Sequence, residues 1–427
     1  MNTGGPNSTG TAAEVPETEP LKRALDRTAL TDGLVGIVFS ATGPVAVILA
    51  VGASAGLDAR QLASWVSAVF VFNGILTIAI SWVLRQPLVF FWTIPGAVVV
   101  GGAMATGTSW PQVVGGFLMS AALLLVLGAT GRIDRLMKAV PMPVVMAMVA
   151  GVFLSFGTGV VEALVSDPLV AGPMIGVFVL VSAIAWLRTR VPPVLVALVL
   201  GALVVFFARD GVLDAEIVSG RWFVDPVWTV PVFDLQTFVS LTIPLVVTVV
   251  VVQNGQGMAV LTGHGHRPHM NLVTLACGVF TAFSAPFGGA PTCLAGPTNA
   301  IVTTHGRPSR HYAAAVVVGV TAILFGLLAP GMVRIIVTMP EAYVATIGGL
   351  AMLASLQGAF VQAFVGKYTT GALVCFLVTI TDLTFLSIGA AFWGIVIGVL
   401  VSVLLDPESV RAGFRPTRTT VLQEETS

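Results

Sequence analysis

Long apolar segments recur along the chain between residues 34 and 405, and they constrain the fold more than any other feature of the sequence. Each segment is long enough to cross about 30 Å of hydrocarbon as a helix. Because the segments are continuously apolar rather than alternating in polarity, they do not fit the strands of a membrane β-barrel. Only 9% of the 427 residues are charged, which excludes an ordinary soluble enzyme. The sequence therefore predicts an all-α polytopic membrane protein.

Proline, glycine and charged residues divide the apolar sequence into about fourteen spans of membrane-crossing length. The spans are expected to begin near Leu34, Gln61, Leu88, Gln112, Pro143, Leu169, Pro193, Phe238, Met270, Gly289, Tyr312, Glu341, Thr369 and Ile388. Spans 3 and 10, at residues 88–105 and 289–304, are short and interrupted. These two spans are therefore predicted to differ from ordinary transmembrane helices.

The distribution of positive charge favours an arrangement with both termini in the cytoplasm. With fourteen spans and the N-terminus inside, the 20 Lys and Arg residues fall on the cytoplasmic side, except for Arg60, Arg209, Arg221 and Arg334. This is the positive-inside pattern of multi-pass proteins. We therefore expect a protein of the plasma or inner membrane. Its predicted parts are a disordered cytoplasmic tail (1–29), a first seven-span repeat (30–208), an extracytoplasmic loop (209–235), a second seven-span repeat (236–405) and a cytoplasmic tail (406–427).

A weak internal repeat supports the division into two halves. At one fixed offset, Met142-Pro143 matches Met339-Pro340 and Gly151 matches Gly348. Because each half has an odd number of spans, the second half is expected to cross the membrane in the opposite direction. Inverted repeats of this kind build many secondary transporters, in which the binding site lies near the bilayer midplane where broken helices meet.

The two interrupted spans carry most of the residues that are expected to bind a ligand. The candidates are Phe91, Trp92, Thr93, Pro95 and Gly96 in span 3, and Thr292, Cys293, Thr298 and Asn299 in span 10. Proline is preferred in the first helical turn, so each span is predicted to be an extended segment followed by a half-helix. Two half-helix N-termini at the midplane would favour an anion. The alternative is a pair of ordinary proline-kinked helices.

Polar side chains in spans 8 and 1 complete the predicted binding site. Span 8 contains Gln253, Asn254 and Gln256, and amides deep in a span are costly unless they form hydrogen bonds. They are predicted to bind a carboxylate, whereas the alternative is hydrogen bonding between helices. Span 1 adds Ser40 and Thr42 as weaker candidates.

The sequence predicts no enzyme, no cofactor and no metal centre. Basic and acidic residues balance, so no net charge indicates nucleic acid as a partner. No nucleotide-binding motif, nucleophile elbow or pair of catalytic carboxylates is present. The segment 264–269 contains three histidines without a neighbouring acid or thiol, and it is interpreted as a solvated basic loop.

One acidic residue, Asp382, is predicted to lie well inside a span. An intramembrane carboxylate is expensive to keep charged, so it tends to be neutral, paired or functional. Asp382 is therefore the candidate for proton coupling. The alternative is a structural role, in which neighbouring threonines satisfy its protonated form.

Five stretches of the sequence resemble the benzoate–proton symporter (BenE) family. They are Trp92-Thr93-Ile94-Pro95-Gly96-Ala97, Gln253-Asn254, Ala285-Pro286-Phe287-Gly288, Arg310-His311-Tyr312-Ala313-Ala314 and Ile388-Gly389-Ala390-Ala391-Phe392-Trp393-Gly394. The likeness covers about residues 30–405 and implies the uracil permease and sulfate permease fold, with two inverted repeats of seven spans. It also implies a core domain of spans 1–4 and 8–11 and a gate domain of spans 5–7 and 12–14. The chain departs from the family at Cys293 and Asp382, where the family usually has Asn and a small residue.

The resemblance and the polar residues together predict a secondary transporter that imports a small aromatic carboxylate, benzoate or a relative, with protons. Gln253, Asn254 and Gln256 would contact the substrate, and Phe91 and Trp92 would shape the pocket for its ring. The expected partners are a small organic anion, protons and the lipid bilayer, with a homodimer as an alternative to a monomer. Three other functions stay open: a nucleobase-type permease, an uncoupled anion pathway of the same fold, and a non-transporting scaffold or receptor.

Overall fold

The computed structural model describes residues 19–133, 141–188, 191–208, 222–381, 385 and 390–405. Within this part of the chain, eight helices are long and apolar enough to cross a membrane, and five shorter apolar helices accompany them. The predicted total of fourteen spans counts shorter helices as spans, and it stays a prediction. Asp382 and residues 209–221 of the predicted loop 209–235 lie outside the described residues.

The helices follow the predicted spans in order, and we number them accordingly. Their bounds are α1 Arg27–Ser54, α2 Ala59–Leu84, α3 Ile94–Ala105, α4 Trp110–Thr130, α5 Met142–Ser166, α6 Pro168–Ala183, α7 Pro193–Ala208, α8 Leu235–Gly263, α9 Met270–Ser284, α10 Gly296–Val302, α11 His311–Val337, α12 Glu341–Ala363, α13 Thr369–Thr379 and α14 Ala390–Leu405. Two short strands, β1 Phe90–Trp92 and β2 Thr292–Leu294, precede α3 and α10.

The first membrane helix begins earlier than the sequence indicated. Asp26 caps α1, because its side chain accepts the Ala29 N–H at 2.8 Å. Glu19 and Asp26 both form ion pairs with Arg310, at 2.8 and 3.0 Å, so this part of the chain lies against the start of α11. The predicted disordered tail of residues 1–29 is therefore corrected: residues 19–29 belong to the folded structure.

Helix packing separates the chain into two groups of helices. The most extensive contacts of the first group join α2 to α11 and α4 to α9, and those of the second join α5 to α12, α6 to α7 and α13 to α14. Exchanging each helix with the helix seven positions away converts the α2–α11 pair into α9–α4, and the α6–α7 pair into α13–α14. The contacts therefore have the symmetry of an inverted repeat, with α1–α4 and α8–α11 as the core domain and α5–α7 and α12–α14 as the gate domain.

Glycines bring the paired core helices into backbone contact. A Cβ atom on Gly74 of α2 would lie 2.7 Å from the carbonyl oxygen of Gly319 of α11, and a Cβ on Gly319 would lie 2.8 Å from that of Gly74. The symmetry-related pair repeats this arrangement, because Gly128 of α4 and Gly278 of α9 would each place a Cβ 2.9 Å from a backbone nitrogen of the other helix. Small residues thus allow the close approach that membrane helices need in order to pack tightly.

The interrupted spans 3 and 10 meet as a pair of antiparallel strands. Phe90 lies opposite Leu294, Phe91 opposite Cys293, and Trp92 opposite Thr292. Because the strands are antiparallel, α3 and α10 leave the pair from opposite ends. The prediction of extended segments followed by half-helices is confirmed, and the alternative of two proline-kinked helices is wrong. Strand pairing satisfies backbone groups that would otherwise be unpaired in the membrane interior.

Candidate functional site

A small cavity lies where α1 and α8 meet the strand pair and the start of α10. It is lined by Phe39, Ser40, Pro44, Phe91, Trp92, Ile94, Gln253, Ala295, Pro297 and Thr298. Its volume of about 20 Å³ holds roughly one water molecule. The cavity therefore joins residues of four predicted spans.

Gln253 is the amide of span 8 that borders this cavity. It lies in a π-helical segment of α8, Thr248–Asn254, and such segments interrupt the regular helical ladder and are frequent at functional sites. The residue is 6% exposed, and its side-chain amide forms no hydrogen bond within the described part of the chain. A buried amide without a partner is costly, so Gln253 is available to bind a ligand.

Trp92 contributes a second polar group without a partner. The residue is 2% exposed and borders the cavity, and its indole Nε1 is buried with no hydrogen-bond acceptor among the described residues. Its ring packs against Phe70 and Phe91, with centroids 5.2 and 5.7 Å away. These contacts fix the orientation of the indole, and the cavity thus has aromatic walls beside an unpaired N–H donor.

Two hydroxyl groups close the cavity between α1 and α10. The Oγ atoms of Ser40 and Thr298 are 3.0 Å apart, and Ser40 also donates to the carbonyl oxygen of Gly36 at 3.0 Å. Thr298 therefore donates its hydroxyl proton to Ser40. Because this contact joins two helices of the core domain, it fixes the α1–α10 edge of the cavity.

Asn254 and Asn299 hold the strands rather than line the cavity. The Asn254 side-chain oxygen accepts the N–H of Leu294 at 2.8 Å. The Asn299 oxygen accepts the N–H of Val89 at 3.0 Å, and its amide nitrogen donates to the carbonyl oxygens of Val89 and Ala295 at 2.9 and 2.8 Å. Both residues are fully buried. Their amides build the scaffold that positions the cavity. Of the amides considered, Gln253 is the one placed to contact a substrate.

The remaining candidates of span 3 form the start of α3. Thr93 is its N-cap, and its hydroxyl oxygen accepts the N–H of Gly96 at 3.2 Å and donates to Thr248 at 3.0 Å. Pro95 occupies the first turn, where no backbone N–H is needed. A side chain on Gly96 would collide with Thr93 and Leu245. These residues place β1 and α3 against α8.

The other predicted residues lie apart from the cavity. Thr292 and Cys293 are fully buried in β2 and do not line it. Gln256 is exposed and lies against the start of α10, where a Cβ on Gly296 would be 3.0 Å from its amide oxygen. Thr42 borders a different, apolar cavity of about 160 Å³ between α1 and helices α7, α11 and α12. The cavity thus unites Ser40, Phe91, Trp92, Gln253 and Thr298 from the predicted set.

A larger cavity between the core and gate domains was not predicted. It has a volume of about 600 Å³ and lies between α3 and α8 on one side and α5, α13 and α14 on the other. Its polar lining includes Ser155 and Thr158 of α5, Ser240 of α8 and Thr379 of α13. The sequence feature that could have indicated this cavity is the presence of hydroxyl side chains in the otherwise apolar spans 5, 8 and 13. This cavity is wide enough for a small organic molecule.

The histidine-containing segment is not a solvated loop throughout. His266 is 6% exposed, and its Nε2 lies 3.0 Å from Nδ1 of His311 at the start of α11. Burial lowers the pKa of His266 to about 4, and the neighbouring His311 acts in the same direction. Among the described residues, no group of three or more His, Cys, Asp or Glu side chains is placed to hold a metal ion.

Comparisons with known proteins agree with this architecture. The transmembrane domain of a cyanobacterial bicarbonate transporter, BicA, superimposes with a TM-score of 0.61 and 16% identity, over 91% of this chain and 98% of that one. Inner membrane protein YdcO of Escherichia coli (strain K12) is 27% identical, over 88% of this chain and 95% of that protein. A benzoate membrane transport protein of Acinetobacter baylyi (strain ATCC 33305 / BD413 / ADP1) is 25% identical, over 91% and 98%. The family model BenE, described as benzoate membrane transport protein, matches residues 24–404, and the chain therefore belongs to this family.

Proposed function

We propose that the protein is a secondary transporter that imports a small aromatic carboxylate, benzoate or a close relative, together with protons. One observation carries this proposal: among the described residues the buried indole N–H of Trp92 has no acceptor and the Gln253 side chain forms no hydrogen bond, and both residues border the same aromatic-walled cavity. N–H donors bind carboxylate oxygens strongly because the acceptor is charged. Phe39 and Phe91 offer apolar surface for an aromatic ring.

The comparisons support transport of an anion rather than enzymatic chemistry. The Acinetobacter relative is named for benzoate, and the BicA neighbour is named for bicarbonate. The Escherichia coli relative is named as an inner membrane protein, and we propose the same location for this chain. Transport proteins of the inverted-repeat class bind their substrates where broken helices meet, and the cavity lies beside such helices.

Movement of the core domain against the gate domain is part of this proposal. A cavity of about 20 Å³ is too small for benzoate, and its walls all belong to the core domain, so substrate entry also requires the core helices around it to separate. The cavity of about 600 Å³ lies between the two domains, and Ile94 and Val98, which border the smaller and the larger cavity, are one helical turn apart on α3. The larger cavity provides an approach to the site from one side of the membrane.

Uptake by the purified protein in proteoliposomes tests the proposal. We expect saturable accumulation of labelled benzoate that increases when the outside is acidic relative to the lumen. Competition by unlabelled benzoate, benzamide and uracil separates the carboxylate from neutral ligands of the nucleobase type. Accumulation that follows the membrane potential and ignores the pH gradient would indicate an uncoupled anion pathway. Absence of saturable uptake under every gradient would reject transport of this substrate.

A further inference from the structure

A buried carboxylate of α1 has a partner that no sequence pattern indicated. Asp32 is 6% exposed, and its Oδ1 lies 3.1 Å from Nδ1 of His305, which follows α10. The other carboxylate oxygen, Oδ2, is buried and has no hydrogen-bond partner among the described residues. The side chain of His305 is 65% exposed. The pair therefore joins a buried acid to an imidazole that water reaches.

This pair lies on the same face of α1 as the substrate cavity. Asp32, Gly36 and Ser40 are spaced four residues apart, so they form one line along the helix. Asp32 contacts His305, Ser40 contacts Thr298, and a Cβ on Gly36 would lie 3.2 Å from the methyl group of Thr298. The line runs for about 12 Å at 1.5 Å per residue. The α1–α10 contact thus has the acid at one end and the cavity at the other.

Of the neighbouring titratable groups, Arg310 is occupied by other partners, whereas His311 bonds through Nδ1 alone and its buried Nε2 has no partner among the described residues. Asp26, Arg310 and His311 border the same small space as Asp32 and His305. Arg310 forms its ion pairs with Glu19 and Asp26, and His311 is joined to His266 in the loop between α8 and α9. Within the described part of the chain, His305 is therefore the ion-pair partner of Asp32.

We propose that Asp32 and His305 carry the proton that is coupled to anion transport, an inference that rests on the proposed function. His305 takes a proton from water at its exposed side and passes the Nδ1 proton to Oδ1 of Asp32. The N–H bond breaks as the O–H bond forms, which leaves a neutral imidazole and a neutral carboxylic acid. Release reverses the same transfer, so the pair exchanges one proton with the solvent in each cycle.

Electrostatics couples this proton to the substrate. A negative charge on Asp32 repels an anion about 12 Å away, and at an effective dielectric constant of about 20 this repulsion lowers affinity by roughly tenfold. Protonation of Asp32 removes the repulsion, so anion and proton bind together more tightly than either binds alone. Joint binding on the core domain gives symport when that domain moves.

The test compares Asp32→Asn with the wild-type full-length protein in proteoliposomes. Asn retains the shape and the acceptor oxygen but does not titrate. We expect Asp32→Asn to exchange labelled for unlabelled benzoate without accumulating it in response to a pH gradient. Its benzoate dissociation constant should be independent of pH and about tenfold lower than that of the wild type at pH 8. Asp26→Asn is the matched control, because Asn is also a good N-cap and the acid lies on the same helix end.

Each outcome bears on the inference. If Asp32→Asn accumulates benzoate like the wild type and keeps the wild-type pH dependence, the inference is wrong and the proposed function stands. Loss of pH-driven accumulation in Asp382→Asn instead of Asp32→Asn also overturns the inference. If the wild type itself does not accumulate benzoate, both proposals fail together.

A second variant keeps the inference falsifiable if Asp32→Asn does not fold. His305→Gln changes a largely exposed side chain, so the fold should tolerate it. We expect pH-driven accumulation to be at least fivefold slower in His305→Gln, while benzoate exchange without a gradient continues. An unchanged rate of pH-driven accumulation in this variant would overturn the role of the pair.

Discussion

The side chain of Asn299 pairs with the peptide group of Val89 as a neighbouring strand would. Its oxygen accepts the Val89 N–H at 3.0 Å, and its nitrogen donates to the Val89 carbonyl at 2.9 Å. The same nitrogen donates to the carbonyl oxygen of Ala295, the residue that precedes α10. Asn299 thereby extends the hydrogen bonding of the strand pair by one residue before Phe90. It also joins α10 to the residue that precedes β1. The site is thus held by a polar side chain whose hydrogen bonds are internal to the fold.

Replacement of Asn299 should affect stability before it affects binding. Asn299→Ala removes three buried hydrogen bonds and leaves the Val89 N–H unpaired, whereas the Val89 carbonyl still accepts the Ala295 N–H; the cost is about 3 kcal/mol. We expect a lower melting temperature of the purified protein in detergent and a lower yield. Thr298→Ala, at the adjacent position, removes one side-chain contact and should have a smaller effect. A normal melting temperature with lost benzoate binding would instead make Asn299 a substrate ligand.

Two adjacent amides of α8 should respond differently to alanine. Gln253→Ala removes an unpartnered amide from the cavity, so benzoate affinity should fall by about tenfold or more with little change in melting temperature. Asn254→Ala leaves the Leu294 N–H unpaired and should lower the melting temperature instead. Binding isotherms and thermal unfolding curves of both variants give this comparison. Equal losses of affinity at equal stability would place both amides in the site.

The sequence was sufficient to predict a multi-pass helical membrane fold and its two interrupted spans. Prolines and glycines such as Pro95 and Gly288 cannot continue an ordinary helix without cost, so the strand and half-helix arrangement follows from local chemistry. It was not sufficient to predict which amide faces the cavity. The π-helical segment Thr248–Asn254 shifts Gln253 and Asn254 relative to the preceding part of α8, so a period of 3.6 residues does not give the faces on which they lie.

Long-range packing explains the other differences from the sequence interpretation. The sequence predicts that span 1 begins near Leu34, after Asp32, whereas the structure buries Asp32 in α1 in contact with His305, which is distant in the chain. The sequence predicts a solvated basic loop at residues 264–269, because no acid or thiol lies beside its three histidines. His266 is buried by contact with His311 at the start of α11. Neither contact leaves a local pattern in the sequence.

The donors at the cavity should select for the charge of the ligand. In the proposed site a carboxylate would accept from both Gln253 and the indole of Trp92, and charge-assisted hydrogen bonds are about twice as strong as neutral ones. Benzamide should therefore compete with labelled benzoate at least about tenfold more weakly than unlabelled benzoate. Trp92→Phe keeps an aromatic ring and removes the N–H, so it should weaken benzoate binding and reduce this discrimination. Equal competition by benzamide and benzoate would favour a neutral-ligand permease.

Acid should destabilise the junction between the α8–α9 loop and α11 through His266. Burial lowers the pKa of His266 from 6.5 to about 4 in the folded protein. Between these values the unfolded chain binds the proton more tightly, so the stabilisation is complete above pH 6.5 and is lost as the pH falls towards 4. The expected loss is on the order of 2–3 kcal/mol, and it should appear as a melting temperature that falls over this pH range. His266→Gln should reduce the slope, whereas His269→Gln, at an exposed position of the same loop, should leave it unchanged. A wild-type slope in His266→Gln would show that another group titrates.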